Sequence, residues 1–418
     1  MNKRGLMVKW QIRWMSVVII LTCSAAQAQP ISYEQTLRQA RVGQPLLEAR
    51  ELQVDAFRQT AEAADELPDP VLKGGIVNLP FTGPAAFDLD RQLPSQIQVG
   101  VEQAIPNLAK RRARADMATS DIRVSEARLG MASRDVVLAA GQAWISLNYA
   151  QQRQMVAQGA LEDLGKLVPV ARSAVAAGSA RPAESLEVRR ALLDIDDAST
   201  RIEADQEAAQ ARLARYIPGE GAVALGSAPS TQVDPVRLRA NLGRNPEIVV
   251  ANAAEGRATA AIELAQADKR PDFGVNASFG RRNPDFGNVV SVMGSITLPL
   301  FTGRRQEPRI AAAEAQAMAA RAEREDALRA VTAQFEADLA MWRSAVRQWQ
   351  RAREGLLPLA RDRADLETAS FAAGRADLID VISARTALAL LQLEILEREE
   401  AAVQAAAKLR LTYSEGMP

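Results

Sequence analysis

The 418-residue chain has no histidine and a single cysteine, and only 4% of its residues are aromatic. Without histidine there is no His-based catalytic triad and no zincin-type metal site, because the commonest general base and the commonest transition-metal ligand are both missing. Fifty-one basic residues balance 51 acidic ones, so no basic surface is set aside for nucleic acid. Beyond the N-terminal segment 1–28, no apolar run approaches the roughly 20 residues that a membrane-spanning helix needs. A membrane-embedded form would have to be a β-barrel, whose backbone groups pair between strands. What is present instead is alanine, leucine, glutamate, arginine and glutamine, the mixture of long helices.

The N-terminus reads as a secretory signal over residues 1–28. Lys3, Arg4, Lys9 and Arg13 precede the apolar run Trp14–Cys23, and Ala26-Gln27-Ala28 is a small-x-small cleavage site. Cleavage would remove Cys23, and the mature chain would hold neither Cys nor His. Thr22 and Leu21 before Cys23 fit a lipoprotein signal poorly. An exported chain of this length without a disulfide must be held by packing and assembly.

The rest of the chain reads as one unit written twice. Ile105-Pro106 with Arg111-Arg112 matches Leu298-Pro299 with Arg304-Arg305; Leu167-Val168-Pro169 matches Leu356-Leu357-Pro358; Ala177-Gly178 matches Ala373-Gly374; and Tyr216 matches Tyr413. The first unit spans residues 29–216, a Gly/Pro/Ser-containing linker spans 217–234, the second unit spans 235–413, and 414–418 form a tail. Each unit reads as a helix, two strands, a long helix, a tight turn and a returning helix. One helix is expected over Ser32–Leu67 and another over Pro235–Lys269. Val71–Asn78, Gln96–Glu102, Phe273–Gly280 and Val290–Leu298 read as strands, the last two alternating most cleanly. Asn107–Ala176 would reach ~105 Å as helix at 1.5 Å per residue. Four strands cannot close a barrel without raw edges, whereas three chains supply twelve.

On these segments the chain resembles the TolC-type outer-membrane efflux channels. The resemblance is carried by Ser295-Ile296-Thr297-Leu298-Pro299-Leu300-Phe301 and by the segment from Gly374 to Arg385. Leu67-Pro68-Asp69-Pro70 and Asn78-Leu79-Pro80-Phe81-Thr82-Gly83-Pro84 resemble the subgroup serving heavy-metal efflux, the CzcC and CusC type. The resemblance implies a mainly α protein with a small β part. In it a homotrimer forms a 12-stranded β-barrel in the outer membrane of a Gram-negative cell, continuing as an α-helical barrel through the periplasm. It implies outer-membrane lipid, a periplasmic adaptor and an inner-membrane RND-type pump as partners, and a passive duct with no enzymatic activity and no cofactor. Drug efflux and type I secretion remain alternative cargoes, and a pore-free periplasmic coiled-coil scaffold is the alternative architecture.

Two turns are the candidate adaptor-docking tips, Gly178-Ser179-Ala180-Arg181 and Gly374-Arg375-Ala376-Asp377. An acid stands at the sixth position after each glycine, Glu184 and Asp380. Each can be a helix-start residue favoured by the helix dipole, and the resemblance implies that Asp380 lies at the narrow periplasmic mouth as a gate or selectivity residue, with Glu184 beside it. Ala376 stands where the family often has a basic residue, with Arg375 next to it. The runs Lys110-Arg111-Arg112-Ala113-Arg114 and Arg304-Arg305 begin helices just below the strands and read as a solvated face, and a position near the membrane interface would also suit them. The methionines are scattered and form no thioether cluster for a soft metal.

Overall fold

The computed structural model describes residues 30–89, 95–178, 180–217 and 223–414. The expected signal segment 1–28, Ser179 and most of the tail 414–418 lie outside the described residues. Among the described residues, no helix is long and apolar enough to cross a membrane.

The chain enters through β1 (Pro30–Ile31), α1 (Tyr33–Gln39) and α2 (Pro45–Ala64), then forms β2 (Val71–Val77) and β3 (Gln96–Ile105). It descends through α3 (Leu108–Gly165) and α4 (Leu167–Ala176) and returns through α5 (Glu184–Ala214). After β4 (Val223–Ala224) come α6 (Pro235–Ala240), α7 (Pro246–Ala267), β5 (Asp272–Arg281) and β6 (Val289–Thr297). It descends again through α8 (Thr302–Arg351) and α9 (Leu357–Ala372) and returns through α10 (Leu378–Tyr413).

The four strands form one antiparallel sheet in the order β2-β3-β5-β6. Registers such as Val99 opposite Phe279 and Ala277 opposite Val292 place every odd residue of β3 and β5 on the same face as the even residues of β2 and β6. That face carries Leu72, Ile76, Ile97, Val99, Val101, Phe273, Val275, Phe279, Val290, Val292 and Ile296, all exposed. The other face carries Lys73, Gln96, Gln98, Glu102, Asn276, Ser278, Ser291 and Ser295. Glycine lets the polar face close on itself. A Cβ on Gly100 would sit 2.7 Å from the Ser278 Cβ.

Below the sheet the helices keep the same lateral order. In the upper tier α2 packs on α3, α3 on α7 and α7 on α8; in the lower tier α5 packs on α3, α3 on α10, and α10 on α8 and α9. One flank of the chain is therefore β2, α2 and α5, and the opposite flank is β6, α8 and α9.

The two helices expected over Ser32–Leu67 and Pro235–Lys269 are each broken. The first divides at residues 40–44, where Gly43 has φ +69°, and restarts with Pro45 at the first helical position. The second divides through a 3₁₀ turn at Leu242–Arg244 and restarts with Pro246. Proline lacks the amide that would continue the ladder but suits a helix start. The cap before each proline is tied to the end of a returning helix: Gln44 Nε2 donates to the Tyr216 carbonyl at 2.7 Å, and Asn245 Nδ2 to the Thr412 carbonyl at 3.3 Å.

The long descending helices also break once each. Lys166 separates α3 from α4, and a π-helical turn at Ala352–Leu356 separates α8 from α9. Both interruptions lie just ahead of Pro169 and Pro358, whose rings would clash with the carbonyl one turn back.

Two tryptophans pin the entering segments. Trp144 of α3 is fully buried and donates from Nε1 to the Ile31 carbonyl at 2.8 Å. Trp342 of α8 donates from Nε1 to the Thr231 carbonyl at 2.9 Å. β1 and β4 pair in parallel beside Trp144, so residues 223–224 are packed onto the helical body.

The crowding at Gly100 is testable. Gly100→Val should destabilise the protein by about 1–3 kcal/mol through overpacking. Gly74→Val, with nothing within 4 Å of its Cβ, should leave the thermal midpoint in detergent almost unchanged.

Candidate functional site

The candidate tips are built by helix termination. Gly178 has φ +72° and Gly374 has φ +69°, the left-handed conformation that glycine adopts without penalty. The first turn closes with the Ala180 amide donating to the Ala174 carbonyl at 3.2 Å, the second with the Arg375 amide donating to the Ser370 carbonyl at 2.8 Å. The second is the long closing bond of the Schellman type of helix end, and the first reaches one residue further. Arg181, Arg375 and Asp377 are exposed at these ends, and Ala376 is half-buried.

The acids occupy corresponding positions. Glu184 opens α5, and its Oε1 accepts from the Arg181 amide at 3.2 Å. Asp380 Oδ2 accepts from the Asp377 amide at 3.3 Å, completing a capping box with Asp377 at the N-cap of α10. Each acid thus caps an amide at the third position after its tip glycine, as the helix-start reading expects. Asp380 is exposed and Glu184 half-exposed. The two hairpins share one apolar cluster, in which Leu378 and Ile382 of α10 join Val188 and Ile195 of α5, Ala171 and Phe371. The tips are therefore parts of one end of the molecule.

A buried cation holds the hairpins level above the tips. Arg153 of α3 is buried and faces Asp205 of α5 at 3.7 Å, Glu397 of α10 at 3.5 Å and Glu400 of α10 at 3.3 Å. Ser146 Oγ donates to Glu400 Oε1 at 2.8 Å. Burial pushes the Glu400 carboxyl up, against the hydrogen bond from Ser146 and the charge of Arg153. A second node joins α8 to α10, where Asp338 accepts from Lys408 at 2.7 Å and from the Tyr413 hydroxyl at 3.2 Å. Burial, reinforced by the Asp338 charge, raises the Tyr413 hydroxyl well above the usual tyrosine value.

The basic run at the top of α3 is partly engaged rather than wholly solvated. Asn107 caps α3 by accepting from the Lys110 amide at 2.9 Å, and its Nδ2 donates to Asp272 Oδ1 at 2.8 Å. Lys110 Nζ contacts Asp268 at 2.8 Å and Asp272 at 3.2 Å. Burial works to lower its pKa, but those two carboxylates carry it above the usual lysine value. Arg111 Nε donates to the Asp65 carbonyl at 2.8 Å. The start of α3 is thereby bound to the ends of α2 and α7, where sheet meets helix. Arg304 and Arg305 are exposed.

The sequence reading missed Trp144 with Trp342, Arg153 with its acids, and Asn107. The separation of the two tryptophans is close to that of the other matched segments, and that spacing was the available signal. The acids around Arg153 lie far from it along the chain and leave no local pattern. Among the described residues no group of three or more Cys, His, Asp or Glu could hold a metal ion.

Residues 238–413 match the family model described as "Outer membrane efflux protein". No curated protein matches the sequence. Among solved structures, the chain resembles a membrane protein from Pseudomonas aeruginosa, with a TM-score of 0.79 at 17% identity, covering 92% of this chain and 90% of that one. It is similar to CusC, whose structures concern transmembrane channel formation, with a TM-score of 0.78 at 15% identity, covering 98% and 100%. The open-state MtrE outer membrane channel of Neisseria gonorrhoeae gives a TM-score of 0.73 at 16% identity, covering 91% and 88%. At these identities the likeness is one of fold.

The glycine requirement at the tips yields a direct test. Gly374→Ala should cost about 1–2 kcal/mol, the penalty of placing a Cβ in the left-handed region. Gly374→Asn should cost less, because asparagine tolerates that conformation; thermal unfolding of the two variants checks the order.

Proposed function

We propose that the protein belongs to the outer membrane efflux family and is the outer-membrane exit channel of a tripartite efflux system. Three chains close a 12-stranded barrel above a helical duct. The observation that carries this reading is the sheet: one face apolar and exposed throughout its centre, the other polar, and the outer edges of β2 and β6 unpaired among the described residues. An apolar belt around a polar interior is the pattern of a lipid-embedded barrel. A soluble scaffold or adaptor has no use for it. The helical columns continue from the strands as the wall of the duct, and the hairpin tips are the end that an adaptor and an inner-membrane RND-type pump engage.

The reading of the cargo as heavy-metal cations is supported by the segments Leu67–Pro70 and Asn78–Pro84. The chain has no histidine, and its only cysteine is Cys23, within the segment that reads as a signal. Selection of a soft metal therefore falls to the pump, and the duct is passive. Drug or polypeptide export would use the same architecture; loss of metal resistance without loss of drug resistance on deletion of the gene supports the metal cargo.

The membrane reading is tested on the two faces of one sheet. Arginine at Val275 or Val292 should impair outer-membrane insertion, by about 2–4 kcal/mol near mid-bilayer. Arginine at Ser291 or Ser295, on the polar face and less buried than Ser278, should be tolerated. Equal effects on both faces, read by outer-membrane fractionation, would reject the barrel.

Threefold symmetry would turn Asp380 into a ring of carboxylates at the periplasmic mouth, with Glu184 adding a second set. Such a ring favours cations. Asp380→Asn and Glu184→Gln keep an oxygen that can cap the helix start while removing the charge. Together they should weaken cation selectivity and trivalent-ion block in bilayer recordings, with assembly unchanged. Unaltered selectivity would leave both acids as helix-start residues only.

A further inference from the structure

We infer that the lower helical wall is closed between neighbouring chains by a leucine clasp, Leu186 and Leu193 of α5 against Leu366 and Leu359 of the next chain's α9. The inference rests on the three-chain reading above and names the surface by which one copy meets the next.

The lateral order supplies the partners. The β2, α2 and α5 flank and the β6, α8 and α9 flank are the two ends of one continuous row. Closing the row into a ring therefore brings α5 of one copy beside α9 of another. On α5, Val188, Ala191, Ile195 and Ile202 are buried toward the rest of the chain. Leu186 and Leu193 lie on the opposite side of the helix, 61% and 64% exposed. On α9 the buried residue is Ala364, and Leu359 and Leu366 lie opposite it, each 67% exposed. In both helices the two leucines are one heptad apart, the spacing of a packed helical seam.

The heights agree. Leu186 stands as far past Gly178 as Leu366 stands ahead of Gly374, and the same equality holds for Leu193 and Leu359. The two tips are level because Arg153 meets Asp205 of one hairpin together with Glu400 of the other. Asp205 lies almost as far past Gly178 as Glu400 lies past Gly374. Since α5 ascends and α9 descends, Leu186 falls opposite Leu366 and Leu193 opposite Leu359.

Charge continues the match upward. Residues 194–207 of α5 hold six acids and one base, all exposed, whereas residues 343–358 of the descending column hold four exposed arginines and one acid. Arg343, Arg347 and Arg351 recur at every fourth position, and none forms an ion pair with another described residue of its own chain. An acidic strip on one flank and a basic strip at similar height on the other are complementary between copies.

Paired cysteines test the register. The double variants L186C/L366C and L193C/L359C should form disulfide-linked trimers on mild oxidation of the detergent-extracted protein. L186C/L359C, offset by two helical turns or about 10 Å, should not, and single variants control for Cys23. All four positions are exposed in the chain, and the mass of the reduced sample reports assembly independently. A trimeric mass without cross-linking in the matched pairs, or equal cross-linking in the offset pair, overturns the clasp and leaves the three-chain reading standing. A monomeric mass for the unaltered protein overturns both.

Discussion

A strand edge must pair its backbone amides and carbonyls, and in a membrane no water is available to do so. Among the described residues of one chain, β2 and β6 each have a neighbour on one side only. The same sheet exposes an unbroken apolar centre on one face. Alone in water, the chain would carry raw edges and an unburied apolar surface. In the proposed channel, additional copies would satisfy the edges and lipid would satisfy the face. The helices inherit the problem, because their row ends where the sheet ends, at α2 and α5 on one side and α8 and α9 on the other.

Most of the wall is alanine-rich helix, which packs closely but offers little to fix height or register. Polar joints provide both. Asn107 and Lys110 bind the start of α3 to the ends of its neighbours where sheet becomes helix. Trp144 and Trp342 hold the crossing segments to the waist, and Arg153 levels the hairpins. The proposed duct, which would have to stay aligned between two membranes, would be served by such anchors near its middle. The tips are held by a shared apolar cluster and by local hydrogen bonds about their turns.

Much of this was legible in the sequence because it depends on local periodicity. The alternation in Phe273–Gly280 and Val290–Leu298 marks strands with two different faces, and the structure pairs them as neighbours. Gly178 and Gly374 mark the ends of descending helices because few other residues adopt their backbone angles. The breaks ahead of Pro45 and Pro246 were written there too, as proline at a helix start, but the helical pattern on either side masked them. The roles of Trp144, Asn107 and Arg153 were not legible. Each is set by a partner brought from elsewhere in the chain, and nothing in the flanking residues specifies it. Asp380 lies between these cases. Its hydrogen bond to the Asp377 amide follows from spacing, whereas a role at the mouth depends on copies of the chain arranged around an axis.

The edge constraint can be measured directly by hydrogen exchange in the assembled, membrane-reconstituted protein. If three chains close one barrel, peptides covering Val71–Val77 and Val289–Thr297 should exchange as slowly as those covering Gln96–Ile105 and Asp272–Arg281, because every strand then has two neighbours. Fast exchange confined to β2 and β6, with β3 and β5 protected, would show open edges and contradict the account.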